Sequence, residues 1–330
     1  MSDDRALFDT LQRDFPLQSR PYHVAAAACG LDEVDLLARL AAGLQSGRIS
    51  RIGAVFAPNV IGASTLAALA VPPDALDEMA ARVNACPLVN HNYARHGHAC
   101  NLWFVLTGRD RGQLDAALDD IAVATGLPPL DLPLEREYHI DLGFALDGPQ
   151  RQRMPRTPVA RPALDAADWR LIAALERGLP LVPQPYEALA AMAGLSPGQV
   201  GERLRTWCDS GVIRRFGVVL RHREFGYRSN AMCVWDVPDT DVDAIGKRLA
   251  AHPAVNLCYR RPRRPGWPFN LFAMIHARSG QAMANDIADV VRHAGLAPHP
   301  RLVLPSTTCY RQRGARYACE ESPCDTTTPA

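Results

Sequence analysis

The repeat that decides the fold begins with Ser46-Gly47-Arg48-Ile49-Ser50-Arg51-Ile52-Gly53, which returns as Ser210-Gly211-Val212-Ile213-Arg214-Arg215-Phe216-Gly217. Residues 46 and 210 differ by 164 positions, and the same offset relates Arg20-Pro21-Tyr22-His23-Val24-Ala25 to Gln184-Pro185-Tyr186-Glu187-Ala188-Leu189. Further along, Asn92–Arg95 matches Cys258–Arg261 and Asn101–Phe104 matches Asn270–Ala273, with slightly larger offsets that small loop insertions explain. Because the pieces recur in one order, the 330-residue chain is a tandem duplication.

Each copy begins with three short helices and a β-rich run. In copy one the predicted helices cover roughly 4–14, 22–29 and 32–46, with Asp32 as the N-cap of the third and Gly47 as its stop. In copy two the third helix is predicted to start near Ser196 and to stop at Gly211. The β-rich runs Ile49–Phe56 and Val212–Leu220 are each predicted to form a short hairpin. Three helices and a hairpin make a winged helix-turn-helix.

The rest of each copy has the predicted order strand, helix, strand, strand, helix, strand. In copy one these elements are about 64–71, 73–85, 87–95, 101–108, 111–125 and 130–139, and in copy two about 229–237, 239–252, 254–262, 269–277, 280–294 and 301–309. This is the ferredoxin-like βαββαβ motif. The predicted fold class is therefore α+β, as a tandem duplication.

The predicted domains follow from these elements. They are a winged helix-turn-helix at 1–62, a ferredoxin-like domain at 63–146, a linker rich in Pro, Arg and Gln at 147–164, a second winged helix-turn-helix at 165–227, a second ferredoxin-like domain at 228–317, and a flexible tail at 318–330.

Composition predicts an ordinary globular protein of the cytoplasm. Hydrophobic residues make up 48% and charged residues 22%, and the net charge of +1 gives no overall field that would favour a polyanion. The first residues lack the basic-then-apolar order of a signal peptide, and no apolar run is long enough to span a bilayer. The nine cysteines are scattered without a CxxC pair, which predicts reduced thiols and neither a zinc nor an iron–sulfur motif.

Two segments carry clusters of functional side chains. The first is His91-Asn92-Tyr93-Ala94-Arg95-His96-Gly97-His98-Ala99-Cys100-Asn101-Leu102-Trp103-Phe104. His91, Tyr93 and Arg95 alternate along one predicted strand and so share one face of the sheet. His98 falls at the following turn or at the start of the next strand, so two imidazoles and a guanidinium are predicted to converge at one end of the sheet. Imidazoles suit general-acid chemistry because their ordinary pKa lies near neutral pH.

The second segment is Cys258-Tyr259-Arg260-Arg261-Pro262-Arg263-Arg264-Pro265-Gly266-Trp267-Pro268-Phe269-Asn270-Leu271-Phe272. Its four arginines are predicted to form a clamp for a ligand with many carboxylates, because guanidinium groups bind carboxylates through two parallel hydrogen bonds. Trp267 is predicted to stack on a flat ring, with Tyr259 beside it. The alternative interpretation is a solvated basic loop.

The order of domains resembles the Lrp/AsnC regulators, and the two segments resemble the signature segments of the two subunits of siroheme decarboxylases. The first resembles the subunit carrying HNYxR and a His three residues before NLWF, and the second the subunit carrying CYRRP and WPYNLF. The resemblance covers about residues 5–317. Arg95-His96-Gly97-His98 has one residue more than the usual motif, so that His98 or His96 matches the family histidine, and Phe269 stands where Tyr is usual.

The resemblance implies loss of CO2 from two acetate side chains of siroheme, giving 12,18-didecarboxysiroheme in heme d1 biosynthesis, with no organic cofactor and no metal bound by the protein itself. It implies that His91 and His98 transfer protons or contact the substrate iron. It also implies a set of substrate-binding residues, which are Tyr93, Arg95, His96, Tyr259, Arg260, Arg261, Arg263, Arg264 and Trp267.

Other interpretations remain open at this stage. A DNA-binding regulator is disfavoured because the third helix of copy one begins with Asp32-Glu33-Val34-Asp35 and has Arg39 as its one basic residue. A heme sensor without catalysis would use the same His and Arg cluster, and a metal site at His96, His98 and Cys100 lacks a fourth ligand. Asn101 and Asn270 either bind substrate or fix the strand, with a slight preference for the structural role. Weaker candidates for the pocket wall are Tyr138, His139, Tyr310 and Arg311.

The duplication also predicts partners. The two halves are expected to pair internally as two Lrp-type subunits do, with their sheets face to face, so that one half supplies the histidines and the other the arginines. Siroheme is the expected small-molecule partner. A homodimer of the fused chain, or contacts with other enzymes of heme d1 synthesis, stays open, and no membrane partner is expected.

Overall fold

The structure, a computed structural model, describes residues 4–140, 143, 146 and 159–318. Most of the predicted linker and tail lie outside these residues. Ala318, the first residue of the predicted tail, is 4% exposed, and its backbone N–H donates to Glu176 Oε1 at 3.2 Å. Its neighbour Tyr317 is also buried and donates from its backbone N–H to the same oxygen at 2.5 Å.

The described helices follow the predicted order. They are α1 (Arg5–Leu11), α2 (Pro21–Ala28), α3 (Glu33–Gln45), α4 (Leu76–Ala85), α5 (Arg111–Thr125), α6 (Ala166–Arg177), α7 (Pro185–Ala193), α8 (Pro197–Asp209), α9 (Val242–Ala251) and α10 (Gly280–Ala294). Short 3-10 helices cover Pro73–Ala75 and His222–Phe225. Among the described helices, none combines the length and apolar character that crossing a membrane requires.

The helix ends explain why the third helix of each copy forms where the sequence predicts it. The Asp32 side chain accepts a hydrogen bond from Asp35 N at 2.7 Å and caps α3. Ser196 and Gln199 form a reciprocal capping box at the start of α8. Gly47 and Gly211 follow α3 and α8 with φ of 73° and 78°, a left-handed conformation that favours glycine.

The described strands are β1 (Ile49–Phe56), β2 (Ala63–Ala70), β3 (Val89–Arg95), β4 (Cys100–Gly108), β5 (Leu130–Pro133), β6 (Arg136–Ile140), β7 (Ile213–Leu220), β8 (Ser229–Trp235), β9 (Val255–Arg260), β10 (Leu271–Ala277) and β11 (Arg301–Gln312). The predicted hairpin in each wing is wrong. Each wing is one strand, and β1 of copy one pairs with β7 of copy two in an antiparallel two-stranded sheet. The wings satisfy each other's backbone hydrogen bonds, so neither copy needs a second strand of its own.

The two helix-turn-helix units share a single hydrophobic core that contains Phe8, Leu36, Leu171 and Leu204 from both copies. The repeated Pro-Tyr pair ties them together. Tyr22 Oη donates to Pro180 O at 3.0 Å, and Tyr186 Oη donates to Pro16 O at 2.7 Å. Each buried phenol therefore finds its acceptor in the other copy, which explains why a tyrosine recurs at this position.

The ferredoxin-like halves form one nine-stranded sheet in the order β5-β2-β4-β3-β11-β8-β10-β9-β6. The last strand predicted for copy one, 130–139, is split into β5 and β6. β5 pairs with β2 in its own copy, whereas β6 pairs with β9 of copy two. In the same way, β11 pairs first with β8 and then with β3 of copy one. The halves thus pair internally, as predicted, and they also share strands, which the sequence did not indicate.

The two edges of this sheet lie close together because β5 ends at Pro133 and β6 begins at Arg136. Two intervening residues span less than about 12 Å, so the sheet must fold back on itself. The enclosed faces pack as an inter-sheet core that includes Leu66 and Trp103 of copy one with Met232, Phe272 and Leu304 of copy two. The opposite faces pack against the helices in two separate cores.

The wing ladder generates a test of the fold. Gly53 and Gly217 face each other across β1 and β7, with φ of 148° and 157°. A Cβ at Gly217 would lie 2.4 Å from Leu11 O, whereas at Gly53 the nearest backbone atom, Leu175 O, is 3.5 Å away. We expect Gly53→Ala to lower the free energy of unfolding by about 1–3 kcal/mol through backbone strain, and Gly217→Ala by about 2 kcal/mol more because backbone must move. Urea unfolding measures both, and equal losses would contradict this packing.

Candidate active site

One face of β3 carries the side chains of His91, Tyr93 and Arg95. It is the face that the folded-back sheet encloses. The His91 and Tyr93 rings stack with centroids 6.2 Å apart and planes at 17°. Arg95 Cζ lies 5.6 Å from the centroid of the Tyr93 ring. The structure therefore brings together the three strand residues that the alternation predicted.

Arg95 is a buried cation for which the described part of the chain supplies no matching anion. Its Nη1 lies 3.0 Å from Leu304 O and 3.4 Å from Asn230 Oδ1, and its Nε has no partner. Within the described residues no carboxylate pairs with it. Burial lowers the pKa of Arg95 to about 10. A buried guanidinium is costly unless an anion neutralises it, so this arrangement fits a site that receives an anionic ligand.

Two histidines of copy two complete the cluster, and the sequence reasoning missed both. His222 comes from the 3-10 helix His222–Phe225, and His276 from the end of β10. Their ring centroids are 4.6 Å apart at an interplanar angle of 78°. The groups lie close enough to affect one another: protonation of His91 disfavours protonation of His222, and protonated His222 and Arg95 disfavour protonation of His276. We call His91, Tyr93, Arg95, His222 and His276 the histidine cluster.

Burial keeps the imidazoles of the histidine cluster neutral near pH 7. It lowers the pKa of His91 to about 4. Burial, with Arg223 and His91 nearby, lowers the pKa of His222 to about 4. Burial, with His222 and Arg95 nearby, puts the pKa of His276 well below its usual range. The cluster therefore offers imidazole lone pairs beside a fixed positive charge.

The predicted partner of His91, His98, lies at the other end of β3. Its ring packs edge-on against Trp267 with centroids 5.2 Å apart. Cys100 N donates to His98 Nδ1 at 3.0 Å, and burial lowers the pKa of His98. The exposed His96 lies in the same turn, where its backbone N–H donates to Pro305 O. His91 and His98 do not converge, because β3 separates them.

Three of the four predicted clamp arginines have partners on the outside of the sheet. Arg260 pairs with Glu135 and Asp239 at 3.0 and 3.2 Å. Arg263 pairs with Asp236 and Asp239 at 2.7 and 2.9 Å. Arg264, which is exposed, donates from Nε to Asp131 O at 3.1 Å. Contacts of this kind are more typical of a solvated basic loop than of a clamp that binds substrate carboxylates.

Arg261 is different, because it is the counterpart of Arg95 in copy two. It is 7% exposed, its Nη1 donates to Leu132 O, and its Nε has no partner. It lies over the Tyr259 ring, with Cζ 4.6 Å from the centroid, as Arg95 lies over Tyr93. Burial lowers the pKa of Arg261. Trp267, 1% exposed, packs on Trp103 with centroids 5.0 Å apart, so its ring faces are occupied by core side chains.

The remaining sequence candidates lie away from the histidine cluster. Asn101 bonds Val71 N and O, and Asn270 bonds Val237 N and O, so each fixes a strand end in its own copy. The other four candidates contact residues outside the histidine cluster and do not line a pocket there. Tyr138 donates to Asp243, Tyr310 donates to Asp77, Arg311 donates to the carbonyls of Cys86 and Val89, and His139 pairs with Cys258 in the β6–β9 ladder.

One signal could have indicated His276 from the sequence. Phe272, Met274 and His276 alternate along a predicted strand, so they share one face. His222 follows the wing outside any motif, and no sequence pattern pointed to it. Its position depends on pairing between the two copies, which only the structure shows.

Arg39 and Arg203, on the third helix of each copy, form ion pairs within their own domains. Arg39 of α3 pairs with Asp4 and Asp35 at 2.9 and 3.0 Å. Arg203 of α8 pairs with Asp165 and Asp168 at 3.4 and 2.8 Å. DNA binding needs arginines that can reach phosphates, so these contacts strengthen the case against a DNA interface. Among the described residues, no group of three or more His, Cys, Asp or Glu side chains could hold a metal ion.

Fold and site together define a duplicated Lrp/AsnC-like protein with a buried site between its copies. A family profile described as "AsnC-like ligand binding domain" matches residues 61–139 and 224–311, and one described as "Siroheme decarboxylase NirDL-like HTH domain" matches residues 4–49 and 168–214. The siroheme decarboxylase NirDL subunit of Paracoccus pantotrophus is 45% identical over 316 residues, covering 96% of this chain and 97% of that protein.

A crystal structure of the siroheme decarboxylase NirDL aligns with a TM-score of 0.69 and 26% identity, over 94% of this chain and 93% of that one. A second structure of that decarboxylase, in complex with an iron-uroporphyrin III analogue, aligns equally well over 95% and 93%. The chain belongs to the siroheme decarboxylase family, and it is a carboxy-lyase.

The lowered histidine pKa values predict how stability depends on pH. The unfolded chain takes up protons on these imidazoles near pH 6.5, whereas folded His91 and His222 stay neutral down to about pH 4. The stability that these two histidines contribute is therefore fully present above pH 6.5 and is lost as the pH drops toward 4, by about 1.4 kcal/mol per pH unit for each proton. We expect His222→Gln to reduce this dependence of the free energy of unfolding on pH by about 1.4 kcal/mol per pH unit, which corresponds to one proton. Urea unfolding at several pH values measures it, with the exposed His23→Gln as control, and an unchanged slope would contradict the burial of His222.

Proposed function

We propose that this carboxy-lyase removes CO2 from two acetate side chains of siroheme to give 12,18-didecarboxysiroheme in heme d1 biosynthesis, without an organic cofactor. The observation that carries the proposal is the buried Arg95, which has no carboxylate partner among the residues that the structure describes, inside a cluster of neutral histidines. It occurs in a chain that is 45% identical to a siroheme decarboxylase subunit. The related structure in complex with an iron-uroporphyrin III analogue supports an iron tetrapyrrole as substrate.

Arg95 is the arginine best suited to hold a substrate carboxylate. Its unsatisfied Nε and its two Nη groups could form a paired contact with one carboxylate. Such an anion would neutralise the guanidinium, so binding would offset the cost of burying its charge. Arg260 and Arg263 already pair with carboxylates, and Arg264 is exposed to solvent. We therefore assign these three arginines no direct substrate contact.

The reaction requires one proton for each acetate. When the bond to CO2 breaks, its electron pair stays on the side-chain carbon and is delocalised into the conjugated macrocycle. A proton must then reach that carbon to form the methyl group. A histidine can deliver it as a general acid, and the carboxylates of a bound siroheme would raise the histidine pKa toward neutrality.

The two sequence-predicted histidines suit different tasks. The His91 ring forms no hydrogen bond within the described residues, so a lone pair is available for axial contact with the substrate iron. His98 accepts a hydrogen bond at Nδ1 from Cys100 N, so its neutral ring carries its proton on Nε2 and presents a donor. We propose iron contact for His91, and for His98 a polar contact to the substrate or a role in proton transfer.

The first test is turnover with the expected substrate. We expect anaerobic incubation of the full chain with siroheme to give a tetrapyrrole that has lost CO2 twice, as measured by mass spectrometry. Loss of CO2 once would contradict the complete conversion proposed for this chain alone. Tight binding without a mass change would favour a heme sensor, and the absence of binding would overturn the proposal.

A second test concerns Arg95. We expect Arg95→Met to reduce kcat/KM about 100-fold, because a charge-assisted contact is worth about 1.5–3 kcal/mol, while the fold persists because no buried anion is left unpaired. Arg51→Met is the matched control, since burial also lowers the pKa of Arg51 to about 10 but its Nη1 donates to Ala54 O in the wing. Steady-state kinetics and circular dichroism measure both variants. Equal activity losses would contradict a substrate contact for Arg95.

A further inference from the structure

Asn256 occupies a β-bulge beside the histidine cluster. In the ladder between β9 and β10, Met274 faces Leu257 but Ile275 faces Val255, so Asn256 is an extra residue on β9. A bulge redirects the side chain that it inserts. Asn256 is 6% exposed, and its Oδ1 lies 3.1 Å from His276 N and 3.0 Å from His276 Nδ1.

These two contacts determine which nitrogen of His276 carries the proton. A backbone N–H can only donate, so the amide atom that faces it is the oxygen of Asn256. The same oxygen faces Nδ1 of the ring, and an oxygen acceptor requires a proton on that nitrogen. In the neutral ring Nδ1 is therefore protonated and Nε2 has the lone pair.

This tautomer leaves His276 a single route for proton exchange. The Asn256 amide does not take up the proton of Nδ1. Nε2 is therefore the ring nitrogen of His276 that can exchange a proton. The ring of His222 lies beside His276, with centroids 4.6 Å apart. Among the described residues, the charges of His222 and Arg95 lower the pKa of His276, and those of Arg223 and His91 lower the pKa of His222.

Copy one contains the same bulge without the imidazole. Val89 faces Leu106 and His91 faces Val105, so Asn90 is the extra residue on β3. Asn90 Nδ2 donates to Thr107 Oγ1 at 2.9 Å, and Thr107 stands where copy two has His276. The bulge with its asparagine is therefore common to both halves, whereas a titratable ring in contact with it is found in copy two.

We infer that Asn256 is a positioning residue for the decarboxylation proposed above: it holds His276 with the proton on Nδ1, so that Nε2 alone exchanges protons with His222 and the histidine cluster. Asn256 does not touch the substrate itself. The inference rests on the proposed function, but the position of the proton on His276 can be measured without turnover.

The test compares three variants of the full chain. Asn256→Leu removes the acceptor, and we expect kcat to fall about 10- to 100-fold with KM unchanged, as for other groups that orient a functional histidine. Asn256→Asp keeps an oxygen acceptor, and we expect it to restore most of kcat and to shift the pH profile upward, because a carboxylate favours the imidazolium. Thr107→Val breaks the equivalent bond in copy one, and we expect it to leave kcat unchanged.

Nitrogen-15 NMR of histidine-labelled protein supplies the readout that does not depend on activity. We expect the proton of His276 on Nδ1 in the wild type and its loss from that nitrogen in Asn256→Leu. A proton on Nε2 in the wild type would overturn the inference. Equal reductions of kcat in Asn256→Leu and Thr107→Val would also overturn it, because the bulge would then have a structural role alone. Lack of turnover in the wild type would refute the proposed function, whatever NMR shows for His276.

Discussion

The hydrogen-bonded ladder between β3 of copy one and β11 of copy two is the contact on which the site depends. It sets Arg95 against Leu304 O and turns the face of β3 toward the copy-two strands that carry Asn230 and His276. The equivalent ladder between β6 and β9 closes the sheet at its other end. Neither copy holds the histidine cluster by itself, because His91 and Arg95 come from one half and His222 and His276 from the other. The duplication is thus a requirement of the site and not only a record of its origin.

The two halves treat the same buried arginine differently. Arg95 and Arg261 each lie over a tyrosine. Each also donates to a backbone carbonyl of the other copy, Arg95 to Leu304 O and Arg261 to Leu132 O. Arg261 also lies 5.9 Å from the Phe272 ring, so aromatic faces surround it and offset part of its charge. Arg95 instead faces Asn230, Met274 and the histidines. A cation packed against aromatic rings is satisfied within the core, whereas a cation beside neutral imidazoles is better matched by an anion that arrives from outside.

The sequence predicted the features that depend on local periodicity and failed where the copies exchange partners. Helix caps such as Asp32, the order of strands, and the shared face of His91, Tyr93 and Arg95 follow from spacing along one copy. The single-stranded wings and the split between β5 and β6 depend on which strand lies alongside, and nothing in a run such as Ile49–Phe56 indicates that its partner is Ile213–Leu220 of the other copy. For the same reason the sequence grouped His98 with His91, although β3 separates them, and missed His222. The arginine-rich loop looked like a clamp because the carboxylates that engage it, such as Asp236 and Asp239, are distant in sequence from Arg263.

The helix-turn-helix units show how a DNA-binding architecture can serve as a clamp between copies. Their buried tyrosines donate hydrogen bonds to the other copy, and their wings pair with each other in one ladder. These surfaces therefore hold the two halves together. Ion pairs within each unit engage Arg39 and Arg203. This pairing fixes how the two ferredoxin-like halves meet, because each wing leads directly into its half. A pair of identical halves would place the same residues around both members of the pair. Copy one has Thr107 where copy two has His276, and copy two has Leu257 where copy one has His91. The imidazoles of the histidine cluster are therefore gathered on one side of the pair.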